Sequence, residues 1–309
     1  MPTVSVIIPT YNRIESLGRL LNTINLQTFP PDEIVIVNDD VNTPITLNQF
    51  LSKIHIRIIN NAKNMGPNRS RVIGLNYVTS DYILFVDDDN LLSVNTLEKL
   101  VHTLLDNEDK MGAIAPVAYY QSNTDKIWWC GTKLNKLTFL VHFNKCQTKQ
   151  NLIETNDVHN CWLMPHKYSF VLKDASGLFK RTYPTIATCF ELYRMGKKQY
   201  VQMDAKVFHD VPQTRSSSSI SNIKLLYEEG RLDNDRLFHF LFEAIIFIKK
   251  YSEIPNGIYS LFFQILRFIG TSYSIFLSKS TINRKFLSIL ILIMALLKGM
   301  SSNSLTRDR

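Results

Sequence analysis

An apolar run of strand-forming residues, Tyr82–Val86, leads directly into three consecutive carboxylates, Asp87–Asp89. Strands buried in a parallel sheet read as such continuous apolar runs, and open α/β sheets bind ligands at the carboxyl ends of their strands. Hard oxygen ligands suit Mg²⁺ or Mn²⁺, which in turn neutralise phosphate oxygens. The stretch therefore predicts a metal-bound phosphate site. The alternative is a solvated acidic turn before a helix that starts near Ser93.

Three further apolar runs precede this one and predict strands at Val4–Ile8, Glu33–Val37 and Ile54–Ile59. Apolar residues at helical spacing over 17–24 predict a helix after the first strand, and a Pro-initiated helix is predicted over 67–75. Strands that alternate with helices in this way predict an α/β fold with a doubly wound, mostly parallel sheet and right-handed crossovers.

Polar segments follow the ends of three of these strands. They are Pro9-Thr10-Tyr11-Asn12, Asn38-Asp39-Asp40 and Asp87-Asp88-Asp89. Because the carboxyl ends of parallel strands share one edge of the sheet, we expect these segments to lie side by side, where a nucleotide can bind.

The length of 309 residues predicts a core domain with an appended unit. We expect a core domain over 1–214, a helical region over 215–300 and a disordered tail over 301–309. No signal peptide is expected, since the chain enters an apolar strand at once. The four cysteines have neither CxxC pairing nor metal-ligand spacing, which predicts buried thiols in a reducing compartment. They are Cys130, Cys146, Cys161 and Cys189.

The C-terminal third is both basic and apolar. Residues 211–309 carry 13 Lys and Arg against 7 Asp and Glu, which is +6 of the net charge of +8. After the serine run Ser216–Ser219, three helical apolar blocks are predicted. They are Leu237–Ile248, Ile258–Leu277 and Phe286–Leu297.

Basic residues flank these blocks, which favours helices that lie in an anionic membrane interface. The last block is too short for an ordinary transmembrane span, and the middle one carries Gln264 and Arg267. A hairpin through the bilayer and a soluble helical subdomain remain the alternatives. The predicted location is the cytoplasmic face of a membrane, with peripheral or shallow insertion.

Five motifs follow one another in the first ninety or so residues. They are Val6–Arg13, Gln27–Thr28, Glu33–Asp40, Asn64–Gly66 with Arg71 and Gly74, and Phe85–Asp89. In this order they resemble the motifs of family 2 nucleotide-sugar glycosyltransferases with the A-type fold. The match resumes at Gly196, in a Gly-x8-Ala-x-Val-x-His pattern that ends at His209. The resemblance covers roughly the first two-thirds of the chain. Five motifs in the right order are a strong signal, whereas a lone Asp-x-Asp would be a weak one.

This resemblance implies transfer of a sugar, with inversion, from a nucleoside-diphosphate sugar to a glycan or a polyprenyl-linked acceptor. It implies a Mn²⁺ or Mg²⁺ ion, with metal contacts at Asp87, Asp89 and His209. It also implies a set of residues that contact the nucleotide sugar. These are Pro9, Thr10, Tyr11, Asn12, Asp39, Asn64, Gly66, Arg71 and Asp88.

Some of these residues have a stated role and a structural alternative. Asp39 would accept a hydrogen bond from a base N–H, and Arg71 would lie near the base or the phosphates. Alternatively, Arg71 is an exposed helix charge, Tyr11 a wall residue, and His209 a hydrogen-bonded structural residue.

The resemblance also implies a general base, the Asp of a Glu-Asp pair at a helix start, which removes the acceptor proton. The chain departs from this pattern. Counted back from Gly196 without gaps, the equivalent positions fall on Pro184-Thr185, and a shorter alignment places Thr188-Cys189 there and Glu191-Leu192 on the acidic residue that follows. Glu191 is the first candidate and Asp174 the second, although Glu191 reads equally as a surface carboxylate near Arg194. A polyprenyl-phosphate acceptor is already ionised and would need no base.

Two other function classes stay open. A sugar-nucleotide-forming nucleotidyltransferase is disfavoured, because no Gly-rich phosphate loop follows the first strand. A non-catalytic, membrane-associated nucleotide-sugar binder is compatible with the missing Glu-Asp pair. Trp128, Trp129 and Trp162 read either as core residues or as stacking surfaces for an acceptor sugar. Nucleic acid is not an expected partner, and the oligomeric state is left open.

Overall fold

The computed structural model describes residues 1–135, 141–144, 150–179, 183–211, 227–228, 233–252 and 256–302. The chain divides into two compact units. The first comprises Met1–Lys133, Phe143–Leu178 and Pro184–Gln213, and the second comprises Leu134–His142, Phe179–Tyr183 and Thr214–Arg309. The predicted linker at Ser216–Ser219, Cys146 and residues 303–309 of the predicted tail lie outside the described residues. The domain limits at 214 and 300 stay predictions.

The described residues contain twelve strands. Their bounds are β1 Val4–Thr10, β2 Glu33–Asn38, β3 His55–Asn60, β4 Tyr82–Val86, β5 Asn90–Leu92, β6 Met111–Tyr120, β7 Asn123–Trp129, β8 Thr132–Leu134, β9 Val141–Phe143, β10 Leu152–Thr155, β11 Cys161–Pro165 and β12 Lys198–His209. Ten strands form one sheet in the order β10-β12-β6-β11-β4-β1-β2-β3, with β5 beside β12 and β7 beside β6. Strands β8 and β9 form a separate pair.

The four strands predicted from the first hundred residues are confirmed as β1 to β4. They run parallel in the order β4-β1-β2-β3, with Val6 of β1 opposite both Ile34 of β2 and Leu84 of β4. Every residue of β1 and β4 is buried. Continuous apolar runs therefore occupy the interior of a sheet that is covered on both faces.

The remaining strands make the sheet mixed, so the prediction of a mostly parallel sheet is corrected. Among the described strands of this sheet, four pairs are parallel and five are antiparallel. The cause is local at β6 and β7, which are joined by Gln121 and Ser122 alone. Two residues can join only antiparallel neighbours, because a parallel connection needs a crossover of a dozen or more.

Eight α-helices have bounds within the described residues. They are α1 Ile14–Asn25, α2 Pro67–Gly74, α3 Thr96–Leu105, α4 Phe170–Leu178, α5 Pro184–Arg194, α6 Asn234–Tyr251, α7 Asn256–Phe276 and α8 Ile282–Ser301. Short 3₁₀ turns lie at Leu47–Gln49, Leu75–Tyr77 and His166–Tyr168. The helix predicted over 17–24 is confirmed as α1, whose apolar face is buried.

Helix α2 begins at a glycine turn and packs closely on the sheet. Gly66 has a φ of +80°, a left-handed conformation that glycine adopts without a Cβ penalty, and Pro67 follows at the first helical position. At the other end, a Cβ built on Gly74 would lie 2.6 Å from Cγ2 of Ile7 in β1. The absence of a side chain at Gly74 therefore sets the distance between α2 and β1.

The carboxyl ends of β1, β2 and β4 meet at one edge of the sheet, as predicted. The amide of Asp39 donates to the carbonyl of Thr10 at 2.8 Å, which joins the ends of β1 and β2. Strand β12 reaches the same edge, because His209 pairs with Asn90 and the amide of Asp210 donates to the carbonyl of Asp89 at 2.9 Å. The fold therefore assembles four polar strand ends from distant parts of the chain.

The second unit is helical. The three predicted apolar blocks are confirmed as helices α6, α7 and α8. One core joins them, and it contains Tyr227, Leu237, Leu241, Ile245, Ile275, Leu292 and Ala295. Within the described residues, no helix is both long and apolar enough to cross a membrane.

Candidate functional site

The carboxylates after β4 form the centre of the candidate site. Asp88 is buried and accepts a 2.7 Å hydrogen bond from the hydroxyl of Thr10 at the end of β1. Arg13 donates to Asp88 at 3.2 Å and to Asp89 at 2.7 Å. One guanidinium therefore balances two adjacent carboxylates that would otherwise repel each other. Arg13 received no role from the sequence, although it directly follows the Pro9–Asn12 segment.

His209 is brought to the same carboxylates by β12. Its Nε2 lies 3.2 Å from Oδ1 of Asp89, and its side chain is buried. Its ring packs edge-on against Trp128, with ring centroids 4.4 Å apart. The Nδ1 atom of His209 is buried and has no hydrogen-bond partner in the described part of the chain.

The third carboxylate, Asp87, pairs with Arg71 of α2. Arg71 is only 5% exposed, and its guanidinium lies 5.0 Å from the centroid of the Trp162 ring. The interpretation of Arg71 as an exposed helix charge is therefore wrong. A guanidinium held over an aromatic ring is pre-positioned to meet an anion at this edge.

Asp39 is tied to the turn that starts α2. Its Oδ1 accepts from the Met65 amide at 2.7 Å and from Asn61 Nδ2 at 2.9 Å, while Oδ2 accepts from the Gly66 amide at 2.6 Å. Asp39 therefore fixes the Asn64–Gly66 turn beside the end of β2, in addition to any contact with a base. Asn64 itself is exposed.

The other predicted contact residues lie just beyond β1. Pro9 is buried in the strand, whereas Tyr11 is 51% exposed. Asn12 is exposed and has a φ of +51°, which turns the chain into α1. Tyr11 can therefore present its ring to a ligand without rearrangement of the core.

The adjacent carboxylates of Asp88 and Asp89 have opposite electrostatic environments. Burial raises the pKa of Asp88 to about 6, and the nearby charge of Asp89 adds to this, against the Thr10 hydrogen bond and Arg13. Burial also opposes ionisation of Asp89, but the hydrogen bond and charge of His209, together with Arg13, lower the pKa of Asp89 overall. The surroundings of Asp89 thus favour its ionised form, whereas burial disfavours the ionised form of Asp88.

The side chains of this cluster are of types that bind a divalent cation, although their positions do not form a three-ligand site. Among the described residues, no three His, Cys, Asp or Glu side chains are placed together as a metal site. Asp89 and His209 nevertheless lie side by side and offer a carboxylate oxygen and an imidazole nitrogen, a donor set that suits Mn²⁺. Asp87 could bind the ion only after its ion pair with Arg71 is broken.

An open cleft of about 660 Å³ adjoins this cluster. Its lining comes from the start of α1, the loop after β2 and the acidic strand end, and includes Arg13, Asn38, Thr43, Asp89 and Asp210. This volume falls within the range of small-molecule sites, roughly 300–1,000 Å³. The cleft is large enough for part of a nucleotide sugar beside the acidic cluster.

The two predicted general bases are not brought to the cluster. Glu191 lies near the end of α5, 3.5 Å from Arg194, and the chain then turns into the first residues of β12. His209 ends the same strand, and a 12-residue strand spans on the order of 30 Å. Asp174 is exposed on α4. Helix α5 does begin at Pro184, where the equivalent positions fall, but without a carboxylate there.

The loop between β10 and β11 adds residues that no sequence motif identified. The amide of Asp87 donates to the carbonyl of Asn160 at 2.9 Å, so this loop adjoins the acidic cluster. Nδ1 of His159 lies 3.5 Å from Oδ2 of Asp157, which is buried. An Asp-x-His spacing matches no motif, and only the proximity of this loop to Asp87 in space identifies it.

The tryptophans are core residues. Trp129 and Trp162 are almost completely buried, which confirms the core interpretation for both. Trp128 is 5% exposed, and its ring packs against those of both His159 and His209. Among the described residues, Cys130, Cys161 and Cys189 are buried thiols as predicted.

Comparison with known proteins places these features in a family. Residues 5–169, more than half of the chain, match the family described as glycosyl transferase family 2. The chain is 25% identical over 217 residues to the uncharacterized glycosyltransferase YwdF of Bacillus subtilis, covering 66% of this chain and 79% of YwdF. It is 34% identical over 103 residues to the poly(ribitol-phosphate) beta-N-acetylglucosaminyltransferase TarS of Staphylococcus aureus strain Mu50, which covers 32% of this chain and 18% of TarS.

Solved structures share the fold. The mannosyltransferase PcManGT of Pyrobaculum calidifontis, in complex with GDP-Man and Mn²⁺, matches with a TM-score of 0.54 and 15% identity, over 98% of this chain and 88% of that chain. A TarS fragment in complex with UDP-GlcNAc matches with a TM-score of 0.50 and 14% identity, over 96% of this chain and 91% of that chain. The mixed α/β sheet is thus that of glycosyltransferases.

Proposed function

The chain belongs to glycosyl transferase family 2, and from this premise we propose that it transfers a sugar from a nucleoside-diphosphate sugar, with the help of a divalent cation. The observation that carries this proposal is the meeting of Asp87–Asp89 with Thr10, Asp39 and His209 at one sheet edge. Donors named with similar structures, UDP-GlcNAc and GDP-Man, supply the first candidates.

Different residues of the site would contact the nucleoside, the diphosphate and the sugar of the donor. The exposed ring of Tyr11 is available to the nucleoside, and the free lone pair on Oδ2 of Asp39 can accept from the base. Arg13 and Arg71, which pair with the carboxylates, would meet the charge of the diphosphate. Asp88, held by Thr10, faces the donor sugar in this arrangement.

Asp87, Asp89 and His209 would hold Mn²⁺ or Mg²⁺. When bound, such an ion neutralises the charge that develops on the departing diphosphate. Arg71, which pairs with Asp87 in this structure, would then be available to the phosphates. We further propose inversion at the anomeric carbon, by a single displacement, with a glycan or a lipid-linked glycan as the acceptor.

We also propose that the C-terminal helices contact an anionic membrane surface. Large apolar side chains are exposed along one stripe of α7 and one of α8, far more than isolated surface residues would explain. On α7 and just beyond it they are Ile258, Phe262, Ile265, Leu266, Ile269, Tyr273, Phe276 and Leu277; on α8 they are Ile282, Phe286, Leu287, Leu290, Ile293, Met294, Leu297 and Met300. The net charge of +6 in residues 211–309 favours anionic lipid as the surface that covers them.

A thermal-shift panel tests the donor proposal. UDP-GlcNAc, GDP-mannose and other UDP-, GDP- and dTDP-sugars are added with Mn²⁺, with Mg²⁺ or with a chelator. A donor at about 100 times its Kd stabilises the native state by about 2.7 kcal/mol, which raises the Tm by roughly 5–10 °C for a domain of this size. We expect the shift to require the metal.

An assay of UDP or GDP release, run with the same donors and metals, separates the alternatives. Release of UDP or GDP without consumption of a sugar 1-phosphate supports the transferase. A metal-dependent thermal shift without release, on hydroxyl and polyprenyl-phosphate acceptors alike, would instead indicate a non-catalytic binder. The absence of any shift with every donor and both metals would contradict the proposed site.

A further inference from the structure

The loop between β10 and β11 carries an unassigned histidine beside the acidic cluster. Asn160 anchors this loop: its carbonyl accepts from the Asp87 amide at 2.9 Å, and its Nδ2 donates to Oδ1 of Asn90 at 2.7 Å. Asn160 also has a φ of +47°, which turns the chain sharply at this point. Its neighbour His159 is therefore fixed next to the strand end that carries the carboxylates.

Three aromatic rings lie close to the ring of His159. Its ring centroid lies 5.3 Å from that of Trp128, 5.3 Å from that of Phe143 and 6.1 Å from that of Trp129. Trp128 in turn contacts the ring of His209 at 4.4 Å. His159 and His209 thus lie against the same indole, and the side chain of His159 keeps 35% of its surface exposed.

A buried carboxylate lies next to the imidazole of this histidine. The Asp157 side chain is 4% exposed, and its Oδ2 lies 3.5 Å from Nδ1 of His159. Its Oδ1 is buried with no hydrogen-bond partner among the described residues. A carboxylate beside Nδ1 favours the tautomer that carries the proton there, which leaves Nε2 with a free lone pair.

We propose that His159 is the general base of the transfer and that Asp157 is the residue that positions it. This inference rests on the proposed function and deepens it, because it commits the acceptor to a hydroxyl group. The two carboxylates suggested by the sequence, Glu191 and Asp174, lie on α5 and α4 outside the cluster. Asp88 is already engaged by Thr10 and Arg13.

The step balances as a single displacement. The acceptor oxygen forms a bond to the anomeric carbon of the donor sugar as its proton passes to Nε2 of His159. The bond between the anomeric carbon and the diphosphate oxygen breaks, and the nucleoside diphosphate leaves with the electron pair. Asp157 stabilises the imidazolium that results, and the proton returns to solvent afterwards.

The test uses the full chain, with UDP-GlcNAc and GDP-mannose as donors, Mn²⁺, and water as the acceptor. Release of UDP or GDP is measured for the wild type, His159→Gln and Asp157→Asn. His102→Gln, at an exposed histidine of α3, is the matched control. General bases contribute typically 10²–10⁴-fold, so we expect His159→Gln to lower kcat by about 100-fold or more and Asp157→Asn by about 10-fold. The donor KM and the metal-dependent thermal shift should stay within about twofold in both variants, which a merely structural role would not allow.

Two results would overturn the assignment. One is a kcat for His159→Gln within about threefold of wild type, because general-base catalysis cannot be that small. The other is loss of the donor-induced thermal shift in both His159→Gln and the smaller His159→Asn, which would make His159 a structural residue. A wild-type protein that turns over no donor would instead overturn the proposed function, and this assignment with it.

Discussion

Single residues do more in this site than their motifs indicate. Asp39 was predicted to meet a nucleobase, yet it also accepts three hydrogen bonds that hold the start of α2. Those donors lie 22 to 27 residues further along the chain, so no local pattern could reveal them. Likewise, Arg13 and Arg71 are the cations that compensate the carboxylates, which follows only from their positions in space.

Asp39→Asn should destabilise the protein even without a ligand. An amide keeps one acceptor oxygen but places an NH₂ group against a backbone N–H, which leaves a buried donor unpaired. We expect a loss of about 1–3 kcal/mol in the free energy of unfolding, measured by urea denaturation.

Asp125→Asn is the matched control for this change, because Asp125 is exposed on β7 and loses the same charge. It should shift the free energy of unfolding by no more than about 0.5 kcal/mol. Equal effects of the two substitutions would show that Asp39 does not anchor the turn.

Some residues of the site could be predicted from the sequence, and the general base could not. Asp87–Asp89 and His209 were found because they end strands within ordered motifs. Glu191 was chosen from a shorter alignment to the motif, and an alignment cannot show that this residue lies near the start of β12 rather than its end. Asp157 and His159 gain meaning only when Asn160 is joined to Asp87.

At the scale of elements, periodicity predicted every strand of the parallel half and the helices of the second unit. It failed for strand direction beyond β4, because β11 and β12 pair with strands that are distant in sequence. Direction there depends on connection lengths and long-range pairing, which apolar patterns do not encode. The sequence therefore predicted the edge that carries the site better than it predicted the rest of the sheet.

Gly74→Ala tests the close packing of α2 on β1. The new Cβ would lie 2.6 Å from Cγ2 of Ile7, so the helix that carries Arg71 must move away from the sheet. Overpacking of this kind costs about 1–3 kcal/mol, and thermal unfolding should show a lower Tm.

Gly18→Ala provides the comparison within α1. A Cβ at Gly18 would meet nothing within 4 Å, so alanine should stabilise the helix by roughly 0.5–1 kcal/mol. Opposite signs for the two substitutions are expected. A Gly74→Ala protein as stable as the wild type would show that the contact with Ile7 is not tight.

At the scale of the whole molecule, the chain combines a sheet-based unit that carries the site with a helical unit that leaves two apolar stripes exposed. Vesicle sedimentation tests what covers those stripes. The full-length protein should sediment with phosphatidylserine-containing vesicles at low salt, more than with phosphatidylcholine alone, and less at high salt. The double variant Phe262→Ser with Phe286→Ser removes two exposed rings and should weaken binding by about tenfold or more.

The control for this experiment is Leu26→Ser with Leu51→Ser, which removes two exposed apolar side chains from the sheet-based unit. This variant should bind vesicles like the wild type. Full-length protein that stays in the supernatant at low salt would contradict the membrane proposal. The exposed stripes would then be better explained as a surface for another copy of the chain.

The most direct test of the account is the rate of UDP or GDP release from the donor, with Mn²⁺ and with a chelator, in the wild type and in Asp89→Asn. Asp204→Asn, exposed on β12, is the charge-matched control. Asp89 would bind the ion and also contacts His209. Removal of its charge should therefore cost several kcal/mol of the metal's contribution to catalysis. The account predicts that metal-stimulated release is lost in Asp89→Asn and kept in Asp204→Asn. Metal-stimulated release at the wild-type rate in Asp89→Asn would contradict it.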